Sequence, residues 1–230
     1  MLASEREGGV AGDGRGGRGI PRTSRRGVPR WPAAVALLAI GASYVVLSEN
    51  VTVGPRAWLP GLMTVLVVPL LSAHARGHYR LARRISFALL AVVTLSVALS
   101  VFLLLTTLPG RQASPASVLA DAALIWASNV VTFAVWYWEI DGGGPAQRRA
   151  DAHTSEDFVF PQMAQQDGKR ATGWSAGFLD YLFLAFNTST AFSPTDTAVL
   201  SPRAKVLMMV QSLLSLVVVL VLVGWAINTL

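Results

Sequence analysis

The chain contains no cysteine. That excludes disulfides, thiolate metal sites and thiol catalysis. Charge is scarce as well: 14% of the residues are Asp, Glu, Lys or Arg, against about 25% in an ordinary soluble domain. Histidine is scarcer still, at 3 residues. His74 and His78 have the i, i+4 spacing of metal ligands, but four arginines surround them and cations nearby disfavour a bound metal. His153 lies among Asp151, Glu156 and Asp157, a composition that reads first as a solvated acidic loop. There is no Walker motif, dinucleotide fingerprint or nucleophile elbow, and no period marks a repeat array. No enzyme activity, catalytic residue, cofactor or metal is expected.

Long apolar runs are what the sequence has instead. Hydrophobic residues make up 53% of it, mean hydropathy is +0.49, and the charges are segregated between the runs. This is the pattern of helices crossing a hydrocarbon core about 30 Å thick. The expected fold class is all-α: a polytopic integral membrane helical bundle with about six transmembrane segments. These cover roughly 31–48, 57–73, 85–108, 116–138, 174–192 and 204–228. A sequence pI near 10.5 would suggest nucleic acid in a soluble protein. In a membrane protein, Lys and Arg in the loops set topology instead, so no nucleic-acid partner is expected.

Four regions are expected. Residues 1–30, rich in Gly and Arg, read as a disordered basic tail, because they cannot bury enough apolar area to offset chain entropy. Residues 31–138 form a four-helix transmembrane region ending in an aromatic belt, Trp136, Tyr137 and Trp138. Residues 139–173 form a flexible connector with one apolar patch at 158–161. Residues 174–230 form a C-terminal helical hairpin with a polar turn. Basic residues are many in the tail, few in loop 49–56, many in 74–84, few in 109–115 and many in 139–173. By the positive-inside rule the N-terminus and the connector are cytoplasmic, and six crossings return the C-terminus there too. The expected location is a bacterial inner (plasma) membrane. The expected partner is the bilayer, with anionic lipids at the tail; a homo-oligomer is compatible with this reading.

Polar groups inside spans are costly in lipid and mark function by default. Asp121 and Asp180 sit near segment ends, from which they could snorkel. Asn129 and Gln211 lie deeper, and an amide at the depth of Gln211 seeks a partner on a neighbouring helix. Asn187, Thr188 or Thr190 could supply it. The candidate polar, pore-like set is Asp180, Asn187, Thr188, Thr190, Ser193, Thr195, Asp196, Thr197 and Gln211.

The run "FLDYLFLAFNTSTAFSPTDTAVLSPRAKVLMMVQSLLSLVVVLVLVGWAINTL" resembles an uncharacterised family of bacterial polytopic inner-membrane proteins. The shared elements are Phe160-Pro161, Asp180-Tyr181 and a Ser/Thr-Asp-Thr turn before a last helix; the family implies no activity. The same run is similar to the pore domain of two-span potassium channels. Asp196 then falls on the channel Asp, Ser201-Pro202 on the turn, and Phe183 and Phe186 on the pore-helix aromatics. The filter positions would be Ala191, Phe192, Ser193, Pro194 and Thr195, and no filter glycine is retained. Side chains with Cβ resist the filter backbone and Pro194 fixes φ, which argues against potassium selectivity. Distant descent from a pore and chance similarity stay open alternatives.

Residues 174–202 therefore have two readings. Either the fifth segment spans and the turn after it is external, with Asp196 or Ser201 capping the last helix, or residues 178–190 form a re-entrant helix with a buried polar end. The charge pattern favours the first. The expected role is permeation or transport, channel-like but not potassium-selective. The alternative is a non-transporting membrane scaffold or assembly subunit whose Ser, Thr and Asn groups glue helices together. A membrane-embedded enzyme ranks third.

Overall fold

The computed structural model describes residues 31–52, 54–55, 57–107, 114–145, 156–163, 174–190 and 196–229. The tail 1–30 and parts of the connector lie outside them. Six α-helices carry the fold: α1 Trp31–Val46, α2 Trp58–Ala75, α3 Tyr79–Thr107, α4 Pro115–Ile140, α5 Phe178–Thr190 and α6 Pro202–Thr229. Two short strands, β1 Phe158–Val159 and β2 Ala198–Val199, pair antiparallel. Three helices are long and apolar enough to cross a membrane, Arg80–Thr107, Pro115–Gly143 and Pro202–Ile227. The chain is an all-α integral membrane protein.

Local signals explain where the helices start and stop. Pro115 opens α4 at a position where no N–H is needed, and Ser114 caps it by accepting from Ser117 N at 3.2 Å. Gly142, Gly143 and Gly144 end α4 with φ of 55°, 80° and 96°, values that residues with a Cβ rarely adopt. Ser201 caps α6, accepting from Ala204 N at 3.2 Å. At the head of α5, Asp180 Oδ2 accepts from Gly177 N at 2.7 Å, half of a capping box.

α4 is the central helix, packing against α1, α3, α5 and α6. Its apolar window is 61% buried, against 44% for α3 and 22% for α6. Tyr137 and Trp138 lie in this core, at 0% and 1% exposure. They are not the interfacial belt the sequence suggests, because α4 is wrapped by protein at that end. Asp121 does not snorkel either. It is 4% exposed, and it holds the chain just after α1 by accepting from Ser48 N at 3.0 Å and Ser48 Oγ at 2.5 Å.

Helix directions follow from these contacts. Ser43 meets Ser128 and Ser48 meets Asp121, so α1 runs antiparallel to α4. Phe178 meets Trp138 edge to face and Phe186 meets Trp126 likewise, so α5 is antiparallel to α4 as well. Arg203 bonds Ile140 O, and Gln211 and Ser215 bond Asn129, which makes α6 antiparallel to α4 too. Thus α5 and α6, consecutive in sequence, run parallel from the same end of the bundle. The expectation of a C-terminal hairpin is corrected here. β2 follows α5 yet pairs with β1, which precedes it, so the chain is back where α5 began.

α5 has 13 residues, about 20 Å at 1.5 Å per residue, short of a roughly 30 Å core; like the shorter apolar helices α1 and α2, it is not among the three long and apolar enough to cross a membrane. α1 begins and α6 ends at opposite ends of the bundle. The end where α4 stops and α5 and α6 start also holds every described Lys and Arg: Arg76, Arg80, Arg83, Arg84, Arg203 and Lys205. We call it the basic end.

Candidate functional site

A polar seam runs between α4, α5 and α6. Each helix contributes side chains four residues apart on one face: Asn129, Phe133, Tyr137 and Asp141 from the α4 side, Tyr181, Ala185 and Ser189 from α5, and Gln211 and Ser215 from α6. Spacing of four aligns side chains along a helix, so the three stripes meet along their length.

Gln211 is the hub, at 0% exposure. Its Nε2 donates to Ala185 O at 2.7 Å and to Ser189 Oγ at 2.7 Å. Its Oε1 accepts a short bond from the Tyr137 hydroxyl. Its backbone oxygen accepts from Asn129 Nδ2 at 3.2 Å, and the same amide donates to Ser215 Oγ at 2.7 Å. One side chain thus ties three helices together in a buried interior, where an unmade bond would cost far more than in water. The buried Asn129 Oδ1 has no partner among the described residues.

At the basic end the seam closes in a latch. Asp141, fully buried at the end of α4, accepts from Asp157 N at 2.8 Å, Phe158 N at 3.2 Å and the Tyr181 hydroxyl at 2.5 Å. Asp157, 1% exposed, forms a forked ion pair with Arg203 through Nε at 2.7 Å and Nη2 at 2.6 Å. Fork-on-carboxylate pairing is among the strongest side-chain contacts. Burial pushes the Asp157 carboxyl up, but bonds from Arg203, Ser201 and the Gly142 backbone outweigh it and hold the group below the usual carboxylate range. Phe158 packs on Tyr137 and Tyr181, and Phe160 on Tyr181 and Trp174. The apolar patch of the connector is thereby seated on the bundle, and Leu200 N donates to Asp157 O at 2.9 Å.

The sequence candidates divide. Gln211 stands at the centre, bonded to α5 as anticipated, but through Ala185 and Ser189 rather than Asn187, Thr188 or Thr190. Thr190 turns its hydroxyl back to its own helix, onto Phe186 O and Asn187 O, which satisfies it without joining helices. Thr188 bonds Leu184 O in its own helix and also meets the Tyr137 hydroxyl of α4. Asp180 caps α5 and lies outside the seam, half-buried. Asp196 is exposed and Thr197 half-buried, just ahead of β2. Ser193 and Thr195 lie outside the described residues, as does His153. Tyr137, Asp141, Asp157, Tyr181, Ser189, Ser215 and Arg203 complete the site. For Tyr137, Asp141, Tyr181, Ser189 and Ser215 the signal was four-residue spacing across three separate segments; Asp157 and Arg203 carried none.

No group of three or more His, Asp or Glu that could hold a metal occurs among the described residues. A cleft between α1, α2, α3 and α4 is lined by Ala33, Leu37, Leu70, Leu90 and Trp138, with Ser86 and the buried Glu139 as its polar members. It lies on the face of α4 away from the seam. No family model, curated protein or solved structure matches the chain.

Proposed function

We propose that this protein is a permeation protein of a bacterial inner membrane, with five crossings and one re-entrant helix, α5, admitting a small cation. The parallel course of α5 and α6 carries the reading. A helix of 13 residues that starts beside the start of the next helix must enter and leave from one face. Re-entrant backbone is tolerated at membrane depth only where protein or water covers it. The positive-inside rule then makes the basic end cytoplasmic and the end of α6 external. The resemblance of the C-terminal run to channel pore domains points the same way, and that to an uncharacterised inner-membrane family bears on location alone.

The chemistry favours a cation. The C-terminal end of α5 reaches mid-depth, and a helix carries partial negative charge there. Half-helix C-termini with hydroxyls nearby coordinate monovalent cations in transporters; here Thr188, Ser189 and Thr190 surround that end. Asn129 Oδ1 supplies a further buried acceptor. Potassium selectivity is not proposed, since no filter glycine is present. The test is flux of monovalent cations into liposomes holding the purified protein. Uptake above empty liposomes supports the reading, and its absence for all small cations sinks it.

One observation favours a scaffold instead. The Gln211 side chain is completely bonded and completely buried, as a residue that only glues helices would be. A protein inert in flux assays yet strongly destabilised by Gln211→Leu would be read as that scaffold.

A further inference from the structure

We infer that α3 carries a binding site for an anionic phospholipid headgroup at its basic end, formed by Arg80, Arg83 and Arg84. α3 is one of the three helices long and apolar enough to cross a membrane, and its span opens at Arg80. Its first turns therefore lie at the level of the headgroups. The arginines sit at i, i+3 and i+4, which makes Arg80 a neighbour of both others on the helix surface. They crowd like charges at the positive end of the helix dipole, where carboxylates are favoured and cations are not. No acidic residue stands in the first turn of α3, nor anywhere between Glu49 and Asp121 in the sequence. Among the described residues none of the three arginines forms an ion pair, whereas Arg203 at the same end has Asp157.

Arg83 distinguishes this cluster from a merely solvated face. It is half-buried, and its guanidinium lies over the Phe87 ring, 5.2 Å from the centroid. Phe87 stacks on Trp136 of α4 at 5.6 Å and 17°, and Trp136 Nε1 donates to Thr94 Oγ1 at 2.9 Å. This column holds the cation in place before a ligand arrives, which lowers the ordering cost of binding. Its Nε is buried with no acceptor among the described residues. The guanidinium fork suits a phosphate, and arginine clusters beside a span attract acidic lipids. The surface below Arg84 suits the rest of a lipid: Ala88, Ala91 and Leu95 follow it on one exposed, apolar track, along which an acyl chain can lie. The site is separate from the basic tail, and it does not rest on permeation.

The test titrates the full-length protein in neutral detergent with phosphatidylglycerol, phosphatidylcholine or inorganic phosphate. Thermal unfolding at each concentration gives a half-saturating value, since a ligand of the folded state raises Tm by mass action. Phosphatidylglycerol should stabilise the protein, and the other two should not at the same concentrations. Arg83→Gln should raise the half-saturating concentration roughly tenfold, the scale of one charge-assisted hydrogen bond. Phe87→Leu keeps every charge but removes the ring beneath Arg83, and should weaken binding about two- to fivefold. Lys205→Gln, at the same end on α6, should leave it unchanged. The tail is present in every variant, so its own lipid binding cancels. Each variant is scored against its own lipid-free Tm, so a lower baseline does not enter. Equal stabilisation by phosphatidylcholine would mean ordinary lipid solvation, and by inorganic phosphate a free-anion site. A Lys205→Gln loss matching that of Arg83→Gln would mean net charge alone. Any of these, or no response to phosphatidylglycerol, overturns the inference.

Discussion

Phe158 lies directly opposite Val199 in the two-stranded ladder. One residue precedes α5 and the other follows it, and a ladder can form only between segments on the same side of a bundle. This pair places the residues before α5 and those after it at one end of the bundle, so α6 starts beside the start of α5.

Sidedness can be read with single cysteines at exposed positions. Gln162→Cys in the connector and Asp196→Cys before β2 should behave alike, spared by an impermeant thiol reagent in intact cells and labelled after permeabilisation. Asn50→Cys, in the turn after α1 at the other end, should be labelled without permeabilisation. Gln162 and Asp196 reacting from opposite sides would break the parallel arrangement of α5 and α6.

Gln211→Leu removes three side-chain bonds between helices, one of them to the Tyr137 hydroxyl. Interhelical membrane bonds contribute about 0.6–2 kcal/mol each by different measures, so a loss of roughly 1–3 kcal/mol is expected. Thr190→Val, which breaks only bonds within α5, should cost well under half as much. Thermal unfolding in detergent compares the two; equal losses would mean that Gln211 joins nothing across the seam.

The latch should respond to acid. The Asp157 carboxyl is held below its ordinary value, so its contribution is complete above about pH 4, the unfolded carboxylate value. The contribution disappears as pH falls through the lower folded value. Proteolysis of the connector should therefore be flat from pH 8 to about pH 5 and rise only in stronger acid. Asp157→Asn should lose that acid step. An accelerated cleavage that begins near neutrality would assign the latch to another group.

Arg203→Gln leaves Asp157 buried without its cation. Breaking a well-buried pair costs about 3–5 kcal/mol, but the Arg203 side chain is 53% exposed and water screens part of the loss. About 1–2 kcal/mol is the expected size. The double variant Arg203→Gln with Asp157→Asn should recover some of it, and a purely additive double variant would show that the two groups are not coupled.

Asp180→Ala should cost about 0.5–2 kcal/mol, as for other lost helix caps. It should leave any cation flux per folded molecule unchanged, because Asp180 lies outside the seam. A flux defect in folded Asp180→Ala protein would return this residue to the pathway.

The all-α membrane class was legible in the sequence, because long uncharged apolar runs can lower their free energy only by leaving water, and helices satisfy their own backbone. The start of α6 was legible as well: of the two residues expected to cap it, Asp196 and Ser201, it is Ser201 that does. So was the need of Gln211 for a partner on α5. Which partner it takes was not, since Ser189 and Thr190 differ by one residue and 100° of rotation, and only packing chooses between them. Nor could the direction of α5 be read. A 13-residue apolar helix with a polar end suits a short span or a re-entrant limb equally well by composition. The decision rests on contacts between residues far apart in the chain, Asp157 with Arg203, Tyr181 with Asp141, and Phe158 across from Val199. Local sequence carries each residue's preference for water or lipid, whereas side and direction belong to the pairings that form once the helices have met.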